Sequence, residues 1–403
     1  RSDHSPLALA RTLELMALRH RYTDSYSAAV PLIDRALEIR HRVSPNHPDA
    51  VFALQTRGDV LMLMGDGATA QRNWAPALDL SMRFLRPDHP AIAETLFRLS
   101  LAAASSGDLN EARRLAERAR DIGERSLAPC EPTRPMLEVA VANILRYDGD
   151  YAEARKLYRS ALDKVQACAG VGGKSTWADA EATLVFNEAG VARDVGDLSE
   201  AGALYERAVD IWSRGLGPDH SFVARGLDAV AEVAASRGQL SKAHTIYERA
   251  LAIRRRSLGA NHPHVAWTLT NLAKTEAEMG NVSIALRYVQ DALAIYQKSG
   301  AADEPDHVAR VLELRGILEQ RLGRLPAASE SLQLAVDERT RIFGPSHPLV
   351  AETRAALAAL DFARGDRNIA LQNALEAERL GREHLLFTVR YLPERQAMTY
   401  ATT

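Results

Sequence analysis

The stretch His262-Pro263-His264-Val265-Ala266, continued by Asn271-Leu272-Ala273, Gly280, Ala285 and Ala292, decides how the whole chain is read. A proline fits the first turn of a helix, where its missing N–H costs nothing. A glycine suits the left-handed residue that ends one helix and turns the chain into the next. Ala285 and Ala292 lie seven residues apart, on one face of a helix, and let a neighbouring helix approach at the short end of the ~8–10 Å range. The stretch predicts two antiparallel helices joined by a tight turn.

The same signals recur along the chain. Turn glycines stand at Gly65, Gly107, Gly149, Gly196, Gly238, Gly280, Gly323 and Gly365, spaced 42, 42, 47, 42, 42, 43 and 42 residues apart, with Asp24 in the place of a first, degenerate one. Seven residues before each turn stands a small residue, among them Ala142, Ala189, Ala231, Ala273 and Ala358. Five and twelve residues after it stands alanine in every unit, from Ala29 and Ala36 to Ala370 and Ala377. His47-Pro48, His89-Pro90, His262-Pro263 and His347-Pro348 punctuate the units, with Asp219-His220-Ser221 as a variant. A fixed period of this length is the mark of a solenoid. The expected fold is all-α, an α-α superhelix of about nine antiparallel helix pairs. Its units lie near 6–42, 48–85, 90–128, 132–168, 177–217, 221–258, 263–299, 306–343 and 348–387, followed by a link over 388–403.

With Tyr158-Arg159-Ser160-Ala161-Leu162, Tyr205-Glu206-Arg207-Ala208 and Tyr247-Glu248-Arg249-Ala250-Leu251 added in the second helices, the chain resembles the tetratricopeptide repeat (TPR) family over residues 6–385. The resemblance is to the kinesin-light-chain-like subclass with its 42-residue period. Departures mark expected irregularities. Pro31 and Pro76 fall inside second helices and are expected to kink them. Unit four opens with Cys130-Glu131-Pro132-Thr133-Arg134-Pro135 in place of His-Pro, and the 47-residue interval puts five extra residues around Cys168–Ser175.

Composition narrows the function classes. The 403 residues are 46% apolar and 25% charged with net charge −2, which leaves no basic footprint for nucleic acid or a membrane surface. No apolar run reaches the ~20 residues of a membrane span, and no signal peptide opens the chain. Arginine supplies 44 of 50 basic residues, a bias expected of a bacterial coding sequence, and a start at Arg1 suggests a fragment. Two cysteines, Cys130 and Cys168, are too few for a disulfide framework and are expected as half-buried thiols in a reducing cytoplasm.

Chemistry is scarce. Cys168-Ala169-Gly170-Val171-Gly172-Gly173-Lys174-Ser175 has the look of a phosphate loop, but it joins two helices and lacks the first glycine, so it reads as an insertion. The repeating histidines sit a unit apart, too far for a shared metal, and read as turn residues. The run Arg254-Arg255-Arg256 reads as solvated surface near a helix C-terminus. No catalytic, cofactor-binding or metal-binding residues are expected, and an RNA-reading array would need a basic groove that is missing here.

The resemblance implies a ligand-holding concave groove, lined by positions thirteen, ten, nine, six and three residues before each turn glycine. In this chain those positions include Asn143, Arg146, Phe186, Asn187, Arg193, Arg225, Trp267, Asn271, Lys274, Arg310 and Gln320. Asn143, Asn187 and Arg225 match three of the five positions of the family's carboxylate clamp, while Val139 and Ala229 miss the other two. The expected partner is therefore a protein or peptide, with a carboxylate as one recognisable feature, and self-association through the terminal helices stays open. Tyr391-Leu392-Pro393-Glu394-Arg395-Gln396-Ala397-Met398-Thr399-Tyr400 resembles the link that precedes a CHAT (caspase-like) protease domain in bacterial TPR proteins. The alternative expectation is thus a sensing or substrate-recruiting arm for a protease domain beyond Thr403.

Overall fold

The computed structural model describes residues 6–22, 26–44, 47–64, 67–105, 108–168, 174–299, 306–345 and 347–391. Asp24, Gly65, Gly107, the centre of the insertion at 169–173 and the link from Leu392 onward lie outside the described residues. Among the described residues there are eighteen α-helices and no strand. Two compact units divide them, residues 1–260 with α1–α12 and residues 261–403 with α13–α18. Within each, helices pack chiefly on their neighbours in sequence. The fold is all-α, a solenoid of antiparallel helix pairs.

The turn within each pair has one recurring form. Gly196 ends α9 (Lys174–Asp194) at φ +85°, and Asp197 N–H donates to the Ala192 carbonyl at 2.9 Å, closing the Schellman-type loop. Gly280 repeats it at φ +86° after α13 (Pro263–Glu278), with Asn281 N–H on the Glu276 carbonyl at 2.8 Å. A Cβ at either glycine would meet nothing within 4 Å, so backbone conformation rather than space demands glycine. Asp197 then caps α10 (Leu198–Leu216) by accepting from Glu200 N–H, as Asp108 and Asp150 do for α6 (Leu109–Ser126) and α8 (Tyr151–Ala167).

The His-Pro punctuation acquires a specific role. Nδ1 of His262 accepts from the His264 N–H at 3.1 Å, so the histidine is the N-cap of α13 and Pro263 its first residue. His47, His89, His220 and His347 make the same contact with the N–H two residues on. Each such imidazole acts as an acceptor, which assigns it the tautomer protonated at Nε2.

Small columns close the helix pairs. Ala70, Ala112, Ala154, Ala201 and Ala243 are fully buried, as are Ala77, Ala119, Ala161, Ala208 and Ala250. Trp74, Tyr158, Tyr205 and Trp212 fill the space between successive pairs of the first unit. α2 (Tyr26–Val43) and α4 (Gly67–Phe84) run through Pro31 and Pro76 as single helices, with both prolines on the exposed side.

One expectation is overturned. Cys130 and Cys168 are not free thiols but form a disulfide across 38 residues, with Cα atoms 5.4 Å apart. Pairing two cysteines that flank a helix pair needs only proximity, and the His-Pro-free opening of α7 (Thr133–Tyr147) lies beside the end of α8. The thiol argument for a reducing compartment falls with it. No described helix is long and apolar enough to cross a membrane.

Candidate functional site

In the first unit the candidate residues come from α7, α9 and α11 (Ser221–Ser236), the first helices of three successive pairs. Their cations divide into two kinds. Arg146 lies against the backbone of α9, where only a glycine leaves room, since a Cβ on Gly190 would sit 2.7 Å from its Nη1. There its Nε donates to Asp194 Oδ2 at 2.6 Å. Burial works against the charge on Arg146, but Asp194 outweighs it and raises the pKa. Arg193 also pairs with Asp194, at 3.1 Å, and reaches Glu232 on α11 at 3.4 Å. These two arginines stitch neighbouring pairs together through acids of the same wall.

Asn143 is likewise occupied. Its Oδ1 accepts from the Tyr158 hydroxyl at 2.5 Å, and burial raises the Tyr158 pKa. Phe186 packs on an aromatic platform, with its ring centroid 4.9 Å from Tyr205 and 5.5 Å from Trp212.

Two candidates are uncommitted. Arg225 lays its guanidinium over the Phe186 ring at 4.4 Å, and no carboxylate among the described residues lies within ion-pair distance of it. Its surface is still open, yet burial by the side chains around it works against the charge and lowers its pKa. An arginine remains cationic through such a shift. Asn187, adjacent to Phe186, is 8% exposed and has no hydrogen-bond partner among the described residues. Its amide atoms are not sealed from solvent, so the carboxamide can exchange water for a ligand. The arrangement is a cation stacked on a ring, with a free amide on the neighbouring residue of that ring's helix.

The remaining candidates belong to the second unit. The Trp267 ring lies 4.6 Å from that of His307, which opens α15 (His307–Arg321). Arg310 is tied to Asp306 within its own first turn. Asn271 is half-buried, and Lys274 and Gln320 are exposed. Among the described residues no group of three or more histidines, cysteines or acids is placed to hold a metal.

The residues that spacing alone did not single out are the acids and phenols that consume the groove's polar groups: Asp194, Glu232 and Tyr158. The tyrosine was visible as a recurring column, but nothing in the sequence told which groove residue its hydroxyl would reach. Position ten before the turn also proves to be shared with the second helix sixteen after it. Phe186 meets Trp212 there, and Asp228 meets Arg254 at 2.7 Å.

Comparison with known proteins agrees with this geometry. A family model described as tetratricopeptide repeat matches residues 51–125, 179–256, 231–298 and 307–383, and a second of the same description matches 9–49. KINESIN LIGHT CHAIN-RELATED 2 of Arabidopsis thaliana is 24% identical over 220 residues, 54% of this chain and 32% of that protein. The match thus spans about a third of that relative's own length. A Rap protein complexed with Competence and Sporulation Factor superposes with TM-score 0.57 at 14% identity, over 93% of this chain and 98% of its own. A Signal Transduction ATPase with Numerous Domains carrying a tetratricopeptide repeat sensor, from Pyrococcus horikoshii, gives TM-score 0.57 at 12% identity, over 96% of this chain and 55% of its own. At these identities the solved structures share the fold.

Proposed function

Because this chain belongs to the tetratricopeptide repeat family, matched by models of that repeat in pieces from residue 9 to 383, we propose that it is a protein-interaction scaffold whose first-helix wall holds a peptide or protein segment. The observation that carries the reading is the split among the polar residues of α7, α9 and α11. Asn143, Arg146 and Arg193 are spent on the fold, whereas Arg225 and Asn187 are left for a ligand. A cation on a ring beside a free carboxamide suits a carboxylate, which accepts charge-assisted hydrogen bonds from both. The Rap structure complexed with Competence and Sporulation Factor supports ligand binding by an array of this fold.

The committed asparagine and the Asp194 pairing argue against the full clamp that the resemblance implies. Two donors hold one carboxylate; they do not reproduce a five-residue grip. The test is a selection of displayed random peptides against the immobilised chain, followed by affinity measurements on the enriched peptides. Arg225→Ala and Asn187→Ala should each weaken binding by about 1.5–3 kcal/mol, roughly ten- to a hundredfold. Enriched peptides that bind both variants as tightly as the parent would place the ligand elsewhere.

A further inference from the structure

The face of α17 (Pro348–Arg364) and α18 (Arg367–Tyr391) that no described helix covers is apolar, unlike a face that meets only water. In repeat arrays a helix-pair face that only solvent covers is polar. Here Phe362, Ile369, Leu371 and Leu375 are 68%, 52%, 59% and 60% exposed. Between the two helices lies a hollow of about 910 Å³ lined by Ala355, Ala358, Ala359, Ala370 and Ala374, with Phe362 and Leu371 at its edge. Isolated exposed leucines are ordinary, but a contiguous apolar hollow of this kind marks a contact surface.

The repeat itself says what fits there. Nine residues after the turn, Ile33, Trp74, Tyr158, Tyr205 and Leu332 are 3% exposed or less, because another helix pair lies over them. Ala374 holds that place in the last pair and is open. Ten after the turn, the preceding pairs carry Asp34, Ala75, Glu117, Arg159, Glu206, Glu248, Gln290 and Gln333, and the last pair carries Leu375.

The surface that covers such a face is a stripe fifteen, twelve, eight and five residues before the next turn. In α11 it is Val223, Gly226, Val230 and Val233, and in α17 it is Val350, Thr353, Leu357 and Leu360, all buried. In α1 (Pro6–Tyr22) the same stripe is Leu9, Thr12, Met16 and Arg19, and all four are exposed. Leu9 and Met16 are 49% and 46% open.

Ion pairs between neighbouring pairs give the register. Glu188, eight before its turn, pairs with Arg155 at 3.4 Å and Arg159 at 2.8 Å, six and ten after the previous turn. Arg57 and Asp34 repeat the eight-to-ten contact at 2.6 Å. In that register Met16 falls on Leu371 and Leu375, apolar against apolar. Charge agrees as well. Glu352 and Glu378 flank the hollow against the single Arg367, whereas the α1 stripe carries the exposed Arg19 and the glutamate of α1, Glu14, is buried.

We infer that the outer face of α17–α18 seats α1 of a second copy of this chain, continuing the stack of helix pairs from one molecule into the next. The contact is heterologous, so it propagates head to tail and does not close into a two-fold dimer. It is independent of the ligand groove.

Sedimentation velocity over a range of concentrations tests it, with circular dichroism confirming helicity. The weight-average mass of the chain should rise with concentration above the 44.1 kDa monomer. Met16→Glu and Leu375→Glu should each stay monomeric alone, because each spoils one of the two faces. Both residues are about half exposed, so neither change touches the core. Leu375→Gln, which copies Gln333 one repeat earlier, serves as a milder second variant. A mixture of Met16→Glu with Leu375→Glu should form a dimer and nothing larger, since one intact hollow and one intact α1 remain. A parent chain that stays monomeric at every concentration, a Met16→Glu variant that still self-associates, or a mixture that gives no dimer would each overturn the inference.

Discussion

The ion pair between Asp228 and Arg254 offers the sharpest test of how the repeat is stabilised. The two groups lie 2.7 Å apart with side chains 8% and 6% exposed, ten residues before and sixteen after the Gly238 turn. Replacing Asp228 with valine leaves a buried guanidinium without this carboxylate, which costs about 3–5 kcal/mol. The array supplies the compensating change. Unit four holds Val139 and Val165 in the same two places, both buried. Asp228→Val combined with Arg254→Val should therefore return to within about 1 kcal/mol of the parent, since buried pairs are often matched by apolar residues of similar summed volume. Arg254→Val alone should be the milder single change, because a stranded carboxyl can take up a proton and a guanidinium cannot lose one. Its deficit should shrink as pH falls, as protonation relieves the buried charge. Urea unfolding followed by helicity measures the totals, and hydrogen exchange across α11 and α12 (Leu240–Ser257) localises them. A cost below about 1 kcal/mol for Asp228→Val, or a double variant as unstable as that single one, refutes the account.

The other expectations are shorter. His262→Ala should lower stability by about 1 kcal/mol and His262→Asn by less, since asparagine restores an N-cap acceptor; thermal melts decide between them. Gly280→Ala should cost about 1–2 kcal/mol from its φ of +86° alone, with nothing within 4 Å for the methyl to strike. Gly280→Asn should cost less, and equal costs would mean that the left-handed conformation is not the reason for glycine. Reducing Cys130–Cys168 removes a 38-residue cross-link, worth at most about 4 kcal/mol on a chain-entropy estimate; faster hydrogen exchange in α7 and α8 on adding dithiothreitol is the expected sign. Burial raises the pKa of Tyr158 and Tyr205 above the ordinary phenol value. Their contribution to stability is whole below the unfolded tyrosine pKa and is lost as pH rises toward the folded values. Ultraviolet titration should therefore show phenols that ionise only as the helices melt.

The pairs of helices were legible because their signals are local. Gly280 marks a left-handed turn, Ala285 and Ala292 mark a close helix contact, and Pro263 marks a first turn. Each of these depends on backbone geometry within a few residues, and the backbone obeys it. The disulfide was not legible, because Cys130 and Cys168 stand 38 residues apart and only the return of the chain through α7 and α8 brings them together. His262 gave itself away as punctuation, but its acceptor role depends on a rotamer that spacing does not reveal.

The groove shows where periodicity stops informing. A position ten before the turn faces the groove by helical phase, yet its chemistry is chosen with the residue sixteen after the turn. Asp228 has Arg254, Glu313 has Arg339 at 3.1 Å, and Phe186 has Trp212. Such a residue cannot be exchanged to suit a ligand without disturbing its partner. Position nine carries no such tie at Asn187, and position thirteen carries only a ring contact at Arg225. Under the function proposed above, specificity can change at Asn187 and Arg225 at little cost to the fold, while Phe186, Asp228 and Glu313 record how their helix pairs are locked. Substitutions at Phe186, Asn187, Arg225 and Asp228 should separate them: those at Phe186 and Asp228 should lower the melting temperature, and those at Asn187 and Arg225 should change ligand affinity while leaving the melting temperature in place. Ala229, at position nine of α11, is core and belongs with the first group.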